Sequence, residues 1–251
     1  MVSSVALSLM LAALTATKNV TFEILNKEPG PIWIGIQGDP GHPHLHNGGV
    51  TLEQGKSIFI TAPGNWTGRI WPRTWCDPGT KRCRTGRCGK DAIECDGNMG
   101  EPPFTLLEFD LKGWKGLDYY YITLEQGYNL RASIEPIGGE KTPGDPDSCA
   151  KVSCATNINQ HCANELKVEH SLQVIACKSA CLRHPTDDLY CCRGAHDRPE
   201  TCRNKDWHTD FASIVFKKHC PNAYSYKFDN AKRTFTCKAS HYRIEFGDIN
   251  N

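Results

Sequence analysis

Residues 68–76 read GRIWPRTWC, and this stretch joins the two patterns that decide the fold. Its Arg-Ile-Trp run is typical of a β-strand, and it ends on Cys76, the first cysteine of the chain. Four cysteines lie from Cys76 to Cys95, and ten lie from Cys149 to Cys237. We therefore expect a cysteine-free β core that carries two disulfide-stapled excursions, a small one and a large one.

Short β-prone runs flank this stretch on both sides, and clusters of Gly and Pro separate them. The runs lie at residues 20–24, 32–36, 57–60, 106–109, 119–123, 129–134, 224–228, 234–236 and 242–246. Many short strands at such intervals predict a mainly β protein, built as a sandwich or a barrel. One helix is expected where Trp207, Phe211, Ile214 and Val215 follow a helical period, between Asp206 and the basic residues 217–219.

The cysteines also indicate the compartment. Their number, 14, is high and even, which is typical of a disulfide framework formed in an oxidising compartment. Zinc is the alternative, but no pair has the C-x2-C spacing that presents two thiolates from one tight turn. The vicinal doublet Cys191-Cys192 suits two separate bridges better than one metal ion. We predict no metal and no cofactor.

The N-terminus favours secretion. Residues 5–14 form an apolar run too short to span a bilayer, and small residues follow it, so we predict a signal peptide over residues 1–17. A buried N-terminal helix is the alternative. Asn19 and Asn65 lie in sequons and are candidate glycosylation sites. With 29 basic and 28 acidic residues the net charge is +1, which disfavours nucleic acid and anionic lipid as partners. We expect a secreted monomer without a membrane anchor.

Several ordered motifs resemble the thaumatin-like protein family, of pathogenesis-related class five. They are residues 68–76, the cysteine-rich run 83–89 with Cys95, PFTLLEF at 103–109, YCC at 190–192 and CPNAYSY at 220–226. The resemblance covers residues 22–246 and implies a flattened β-sandwich with two disulfide-rich excursions, the larger containing short helices. It implies one domain over residues 18–251. Its core would comprise 18–75, 103–150 and 221–251; 76–102 would form the small excursion and 151–220 the large excursion.

The resemblance also implies how the cysteines pair, which spacing alone leaves open. The implied bridges are Cys76–Cys83, Cys88–Cys95, Cys149–Cys237, Cys154–Cys220, Cys162–Cys177, Cys181–Cys191 and Cys192–Cys202. This is one bridge fewer than the family usually has. The missing pair would lie near Lys27 and Gly247, so we expect looser termini and the same fold.

The family's cleft carries one Arg, one Glu and three Asp. Matched position by position, these fall on Arg73, Glu108, Tyr121, Gln126 and Asp188, with adjacent Asp187 as an alternative for the last. The predicted ligand cleft has therefore lost two carboxylates. Glycoside hydrolysis normally needs two carboxyl groups at a defined separation. Glu125 is expected to point away from Gln126, because neighbours on a strand face opposite sides.

Binding survives this loss better than catalysis does. The leading prediction is a secreted, antifungal defence-type protein that binds β-1,3-glucan or a similar fungal wall polysaccharide. One alternative is a weak endo-β-1,3-glucanase in which Glu108 and Asp188 are catalytic. Another is an interaction module for a protein ligand, such as a protease. The histidines at positions 42, 44 and 46 could bind a metal, but the Gly and Pro around them favour an exposed turn.

Overall fold

The structure is a computed structural model that describes residues 18–89, 91–207, 211–229 and 234–248. The predicted signal peptide, residues 1–17, lies outside the described residues. Within the described ranges, no helix is long and apolar enough to cross a membrane. The remaining chain forms two β-sheets, a β-hairpin and short helices.

The first sheet has five strands. They are β1 (Val20–Lys27), β4 (Ser57–Ala62), β9 (Ala132–Pro136), β10 (Val152–Cys154) and β14 (His241–Gly247). Their order is β10-β9-β14-β1-β4. Strands β1 and β14 pair in parallel, and the other neighbours are antiparallel. The first and last strands of the described chain therefore lie side by side at the centre of this sheet.

The second sheet has seven antiparallel strands. They are β2 (Ile32–Gly38), β3 (Gly49–Leu52), β5 (Thr67–Asp77), β6 (Arg82–Thr85), β7 (Leu106–Asp110), β8 (Asp118–Thr123) and β13 (Phe235–Cys237). Their order is β13-β8-β7-β5-β2-β3, and β6 pairs with the end of β5. The GRIWPRTWC stretch forms most of β5, which has β2 on one side and β7 on the other.

Alternation along the strands builds the core between the two sheets. Phe22 of the first sheet is fully buried, and its ring lies 4.7 Å from the ring of Phe109 in the second sheet. The rings of Trp66 and Tyr242 pack around the same point, with centroids 5.6 and 6.2 Å from that of Phe22. Burial of large aromatic surfaces from both sheets is the main favourable term for such a sandwich.

The large excursion contains a β-hairpin and three α-helices. They are β11 (Lys167–His170), β12 (Gln173–Cys177), α1 (Ala180–Arg183), α2 (Asp188–Cys191) and α3 (Phe211–His219). Short 3-10 helices occupy Leu45–Gly48, Trp114–Gly116, Ile158–His161, Asn164–Leu166, Gly194–His196 and Asn204–Asp206. The predicted helix is present from Phe211 onward, and its basic C-terminal residues complement the helix dipole.

All seven disulfides implied by the resemblance are present, and none of the described cysteines is free. Strands β1 and β14 place Lys27 opposite Gly247, where the missing eighth bridge was expected. Lys27 instead pairs with Glu245, Nζ to Oε1, at 3.2 Å. An ion pair therefore links these strand ends, and unlike a covalent bridge it does not constrain the unfolded chain.

Two local predictions were wrong. Residues 224–228 do not form a strand, because only Tyr224 makes an isolated bridge, to Thr123, and the chain then turns. The Asp229 carboxylate accepts hydrogen bonds from the Ser225 backbone N–H and hydroxyl, which closes that turn. In addition, β10 falls inside the range expected for the large excursion, but it extends the edge of the five-stranded sheet.

Candidate functional site

A row of polar side chains crosses the face of the seven-stranded sheet that points away from the sandwich core. The strand register aligns Gln37 with Arg69, Arg69 with Glu108, and Glu108 with Tyr121. Register partners share a face, so the four side chains form one continuous row, here called the outer row. On the same strands, the residues that alternate with the outer row, such as Leu107, are buried in the core.

Glu108 and Tyr121 are directly bonded within the outer row. The Tyr121 hydroxyl donates to Glu108 Oε2 at 2.8 Å. The Tyr121 ring also meets the Tyr224 ring edge to face, with centroids 5.2 Å apart. Burial, together with the negative charge of Glu108, raises the pKa of Tyr121 far above its ordinary value. Tyr121 therefore remains a protonated hydrogen-bond donor throughout the physiological range.

The turn that follows β8 brings two more polar residues to this region. Strand β8 ends at Thr123, and Glu125 and Gln126 lie in a turn. Both line a cavity of about 150 Å³. The other walls of this cleft cavity come from the large excursion and from the segment after it, at residues 179–181, 190–192 and 225–227. The cavity thus lies between the sheet and the large excursion.

Glu125 connects the cleft cavity to the outer row electrostatically. Burial raises the pKa of the Glu125 carboxyl, and the charge of Glu108 raises it further, while Lys227 opposes the shift. The carboxyl groups of Glu108 and Glu125 therefore interact electrostatically. The prediction that Glu125 points away was wrong, because strand alternation stops at Thr123 and does not extend into the turn.

Asp229 supports one wall of the cleft cavity. Its buried carboxylate accepts hydrogen bonds from Ser225 and an ion-pair contact from Lys217. Burial opposes ionisation, but these hydrogen bonds outweigh it and hold the pKa of Asp229 below its usual value. Asp229 is therefore a charged anchor for the chain segment that carries Tyr224 and Lys227.

Arg73 does not reach the cleft, in contrast to our expectation. It faces the same side of the sheet as Arg69, but the small excursion covers it. Its guanidinium donates to the backbone carbonyls of Ile34, Ala92 and Ile93. Burial lowers the pKa of Arg73 to about 10, so it is charged at neutral pH. Arg73 holds the small excursion on the sheet, and Arg69 is the arginine of the outer row.

Asp188 lies in the large excursion. It begins α2, whose later residues line the cleft cavity, but its own side chain is 54% exposed and pairs with Arg193 Nε at 3.4 Å. Asp187, the alternative, caps α2 by accepting from the Leu189 N–H at 3.0 Å. The structure therefore joins Glu108 to Tyr121 by a hydrogen bond and places Gln126 on the wall of the cleft cavity. Arg73 is buried under the small excursion, and Asp188 pairs with Arg193.

The histidine tract borders the opposite end of the outer row. Gln37, Arg69, His42 and His44 help to line an open cavity of about 390 Å³, where Arg69 pairs with Asp39 at 2.7 Å. The Nδ1 atom of His44 accepts from the Gly38 N–H at 3.1 Å, which fixes that ring within the loop. Among the residues that the structure describes, no group of three or more His, Cys, Asp or Glu side chains is placed to hold a metal.

Comparisons with known proteins agree with this architecture. A model described as "Thaumatin family" matches residues 26–248. "Pathogenesis-related protein 5" of Arabidopsis thaliana is 44% identical, over 90% of this chain and 89% of its own length. "Pathogenesis-related thaumatin-like protein 3.5" of Cryptomeria japonica is 41% identical, over 90% and 88% of the two lengths. "Glucan endo-1,3-beta-glucosidase" of Prunus avium is 35% identical, over 96% of both. The chain belongs to the thaumatin family.

Proposed function

We propose that this protein is a secreted, defence-type protein that binds β-1,3-glucan or a similar fungal wall polysaccharide through the outer row and the cleft cavity, without robust hydrolysis. Similarity to pathogenesis-related proteins supports the defence role, and the name of the Prunus avium relative supports the ligand class. Seven disulfides support secretion, since such bridges persist in oxidising compartments.

The observation that carries this proposal is the bond between Tyr121 and Glu108. A phenol occupies the register position beside the central carboxylate, so the carboxylate is held by a donor and has no acid–base partner there. A carboxylate held in this way is a fixed acceptor for sugar hydroxyls. The Tyr121 and Tyr224 rings supply the flat apolar surface that the C–H face of a sugar needs.

The walls of the cleft cavity have matching chemistry. Gln126 can both donate to and accept from neutral hydroxyls, and Ser179 and Ser225 line the same space. Lys227 stands beside Glu125, so the local charges are mixed. A site with planar polar groups, aromatic faces and little net charge suits an uncharged, hydroxyl-rich polymer.

Weak endo-β-1,3-glucanase activity is the second candidate, and one observation favours it in altered form. Asp188 pairs with Arg193, whereas Glu108 and Glu125 interact electrostatically. A carboxyl group with a raised pKa next to an ionised carboxylate is the usual arrangement of a general acid beside its partner. In this version Glu125 would protonate the leaving oxygen and Glu108 would act from the other side.

One assay separates these functions. The purified protein is incubated with insoluble β-1,3-glucan, and both pelleted protein and released reducing sugar are measured. We expect pelleting without sugar release, and about tenfold weaker pelleting for Tyr121→Ala. Tyr119→Ala, on the same strand but one row further out, is the matched control and should pellet like the parent.

The other outcomes are equally informative. Sugar release that disappears in both Glu108→Gln and Glu125→Gln would establish the enzyme and overturn the binding-only proposal. The absence of both pelleting and release would overturn the two carbohydrate functions together. The protein-ligand hypothesis would then be the one to test.

A further inference from the structure

A second polar cavity lies away from the cleft and shares none of its lining residues. It has a volume of about 200 Å³ and opens between the end of β5, the start of β9 and the β11–β12 hairpin. Trp75 stands at the β5 side, Arg131 at the β9 side and Gln173 on the hairpin. The core and the large excursion therefore both contribute walls to it.

Trp75 presents an unusually placed aromatic surface. Its side chain is 43% exposed, and its backbone adopts a left-handed conformation with φ of 56°, which is costly for a bulky residue. The ring of His170 meets the indole edge to face, with centroids 5.5 Å apart, and supports it from the hairpin. The strained backbone thus holds a large apolar face at the rim of the cavity instead of in the core.

Amide side chains supply the polar part of the cavity wall. Asn159 donates from Nδ2 to the Asn129 carbonyl at 3.0 Å, which fixes its amide orientation. Its Oδ1 atom is enclosed and receives no hydrogen bond from any described residue. Asn157, which also lines the cavity, accepts from the Asn159 N–H through its own Oδ1 at 3.2 Å. An enclosed acceptor without a donor is costly, and a hydroxyl group entering the cavity can remove that cost.

The charged residues of the wall largely neutralise one another. Arg131 approaches Glu28, Nη2 to Oε1, at 3.8 Å and contacts Asp248 through Nη1 at 3.1 Å. Burial raises the pKa of the Glu28 carboxyl, while Arg131 opposes that shift. This wall therefore has no strong field that would select a phosphate or another multiply charged ligand.

From this combination we infer that the cavity between Trp75, Asn159 and Gln173 is a second saccharide site, which takes one neutral sugar ring stacked on Trp75. An exposed indole, an amide oxygen that receives no hydrogen bond from the described residues, and an internally paired arginine match the apolar face and hydroxyl groups of a sugar. The volume suits one ring and excludes a long buried chain. This site does not depend on the proposed function of the cleft.

The test uses the full secreted chain, labelled with ¹⁵N, and three soluble trisaccharides: β-1,3-linked glucose, β-1,4-linked xylose and β-1,4-linked N-acetylglucosamine. Affinity is measured by calorimetry, and the indole N–H resonances report where each sugar binds. We expect saturable binding of at least one trisaccharide with a shift of the Trp75 indole. Trp75→Asn, which tolerates the left-handed backbone, should weaken that binding about tenfold.

Matched variants make the outcome specific. Trp114→Ala removes another exposed indole, one that is 70% exposed and lines no part of this cavity, and it should bind like the parent. Gln173→Ala changes only the hairpin and should weaken binding even if Trp75→Asn is unstable. Tyr121→Ala should leave the Trp75 shift intact, which separates this site from the cleft. The inference is overturned if no trisaccharide saturates, or if Trp75→Asn and Gln173→Ala both bind like the parent.

Discussion

The two faces of the seven-stranded sheet are built from the same strands and have opposite roles. On β7, Leu107 and Phe109 point into the sandwich and are buried, whereas Glu108 between them belongs to the outer row. On β8, Tyr120 is fully buried and Tyr121 is in the outer row. A one-residue step along a strand therefore separates a residue that stabilises the fold from one that is available to a ligand.

The largest contrast should appear between neighbouring residues of β7. Phe109→Ala removes a ring that packs against Phe22 and Tyr242, and it should lower the free energy of unfolding by about 3–5 kcal/mol. Glu108→Gln keeps the shape of the outer row and should change the free energy of unfolding by no more than about 0.5 kcal/mol. Urea unfolding of both variants measures the difference. Equal losses would show that the outer row is a structural element.

The disulfides allow a second comparison, between two bridges of the large excursion that close loops of different length. Cys154–Cys220 closes a loop of 66 residues and ties the excursion to β10, whereas Cys192–Cys202 closes only 10 residues beside the cleft cavity. Replacing each pair by alanine should cost about 4 and about 3 kcal/mol respectively. Urea unfolding measures the loss, and limited proteolysis should show cutting near the cleft for the second pair only. A larger cost for the short loop would contradict the chain-entropy account.

Much of the fold could be predicted, because the alternation of residues along each strand is a local pattern and the order of the cysteines belongs to a recognisable motif. The strands around residues 22, 34, 58, 70, 107 and 121 are all present. The cleft was harder to predict because it depends on what covers each position. Arg69 and Arg73 alternate onto the same face, and only the tertiary position of the small excursion decides which of them is buried.

The turns account for the other differences. Glu125 follows the last strand residue, Thr123, so no periodicity fixes its direction. Asp229 becomes important only because the chain turns back from Tyr226 and brings it to Ser225 and Lys217. The sequence does carry a local indication of this turn, since Ser and Asp four residues apart favour a side-chain-closed turn over a strand.

Asp229 should make the cleft wall sensitive to acid. Its pKa is lowered in the folded protein, so its contribution to stability is present above the ordinary carboxyl pKa of about 4 and is lost as the pH falls through the folded value. At pH 7, Asp229→Asn should lose about 1.5–3 kcal/mol, the usual worth of hydrogen bonds to a charged group. Unfolding curves at pH 7 and pH 3 check this. A deficit that is unchanged at pH 3 would mean that the charge is irrelevant.

Glu125 should behave in the opposite sense, although it lines the same cavity. Below about pH 4 the Glu125 carboxyl is protonated in both the folded and the unfolded protein. Because its pKa is raised in the folded protein, the free energy of unfolding declines as the pH rises from there through the folded-state pKa. Glu125→Gln removes this penalty and should be more stable than the parent at pH 7, by on the order of 1 kcal/mol, but not at pH 4. Thermal unfolding at both pH values measures the effect. If the variant is more stable but no longer pellets with glucan, Glu125 binds the ligand at the expense of folding stability. If the variant is more stable and pellets normally, the ligand is held by the outer row alone.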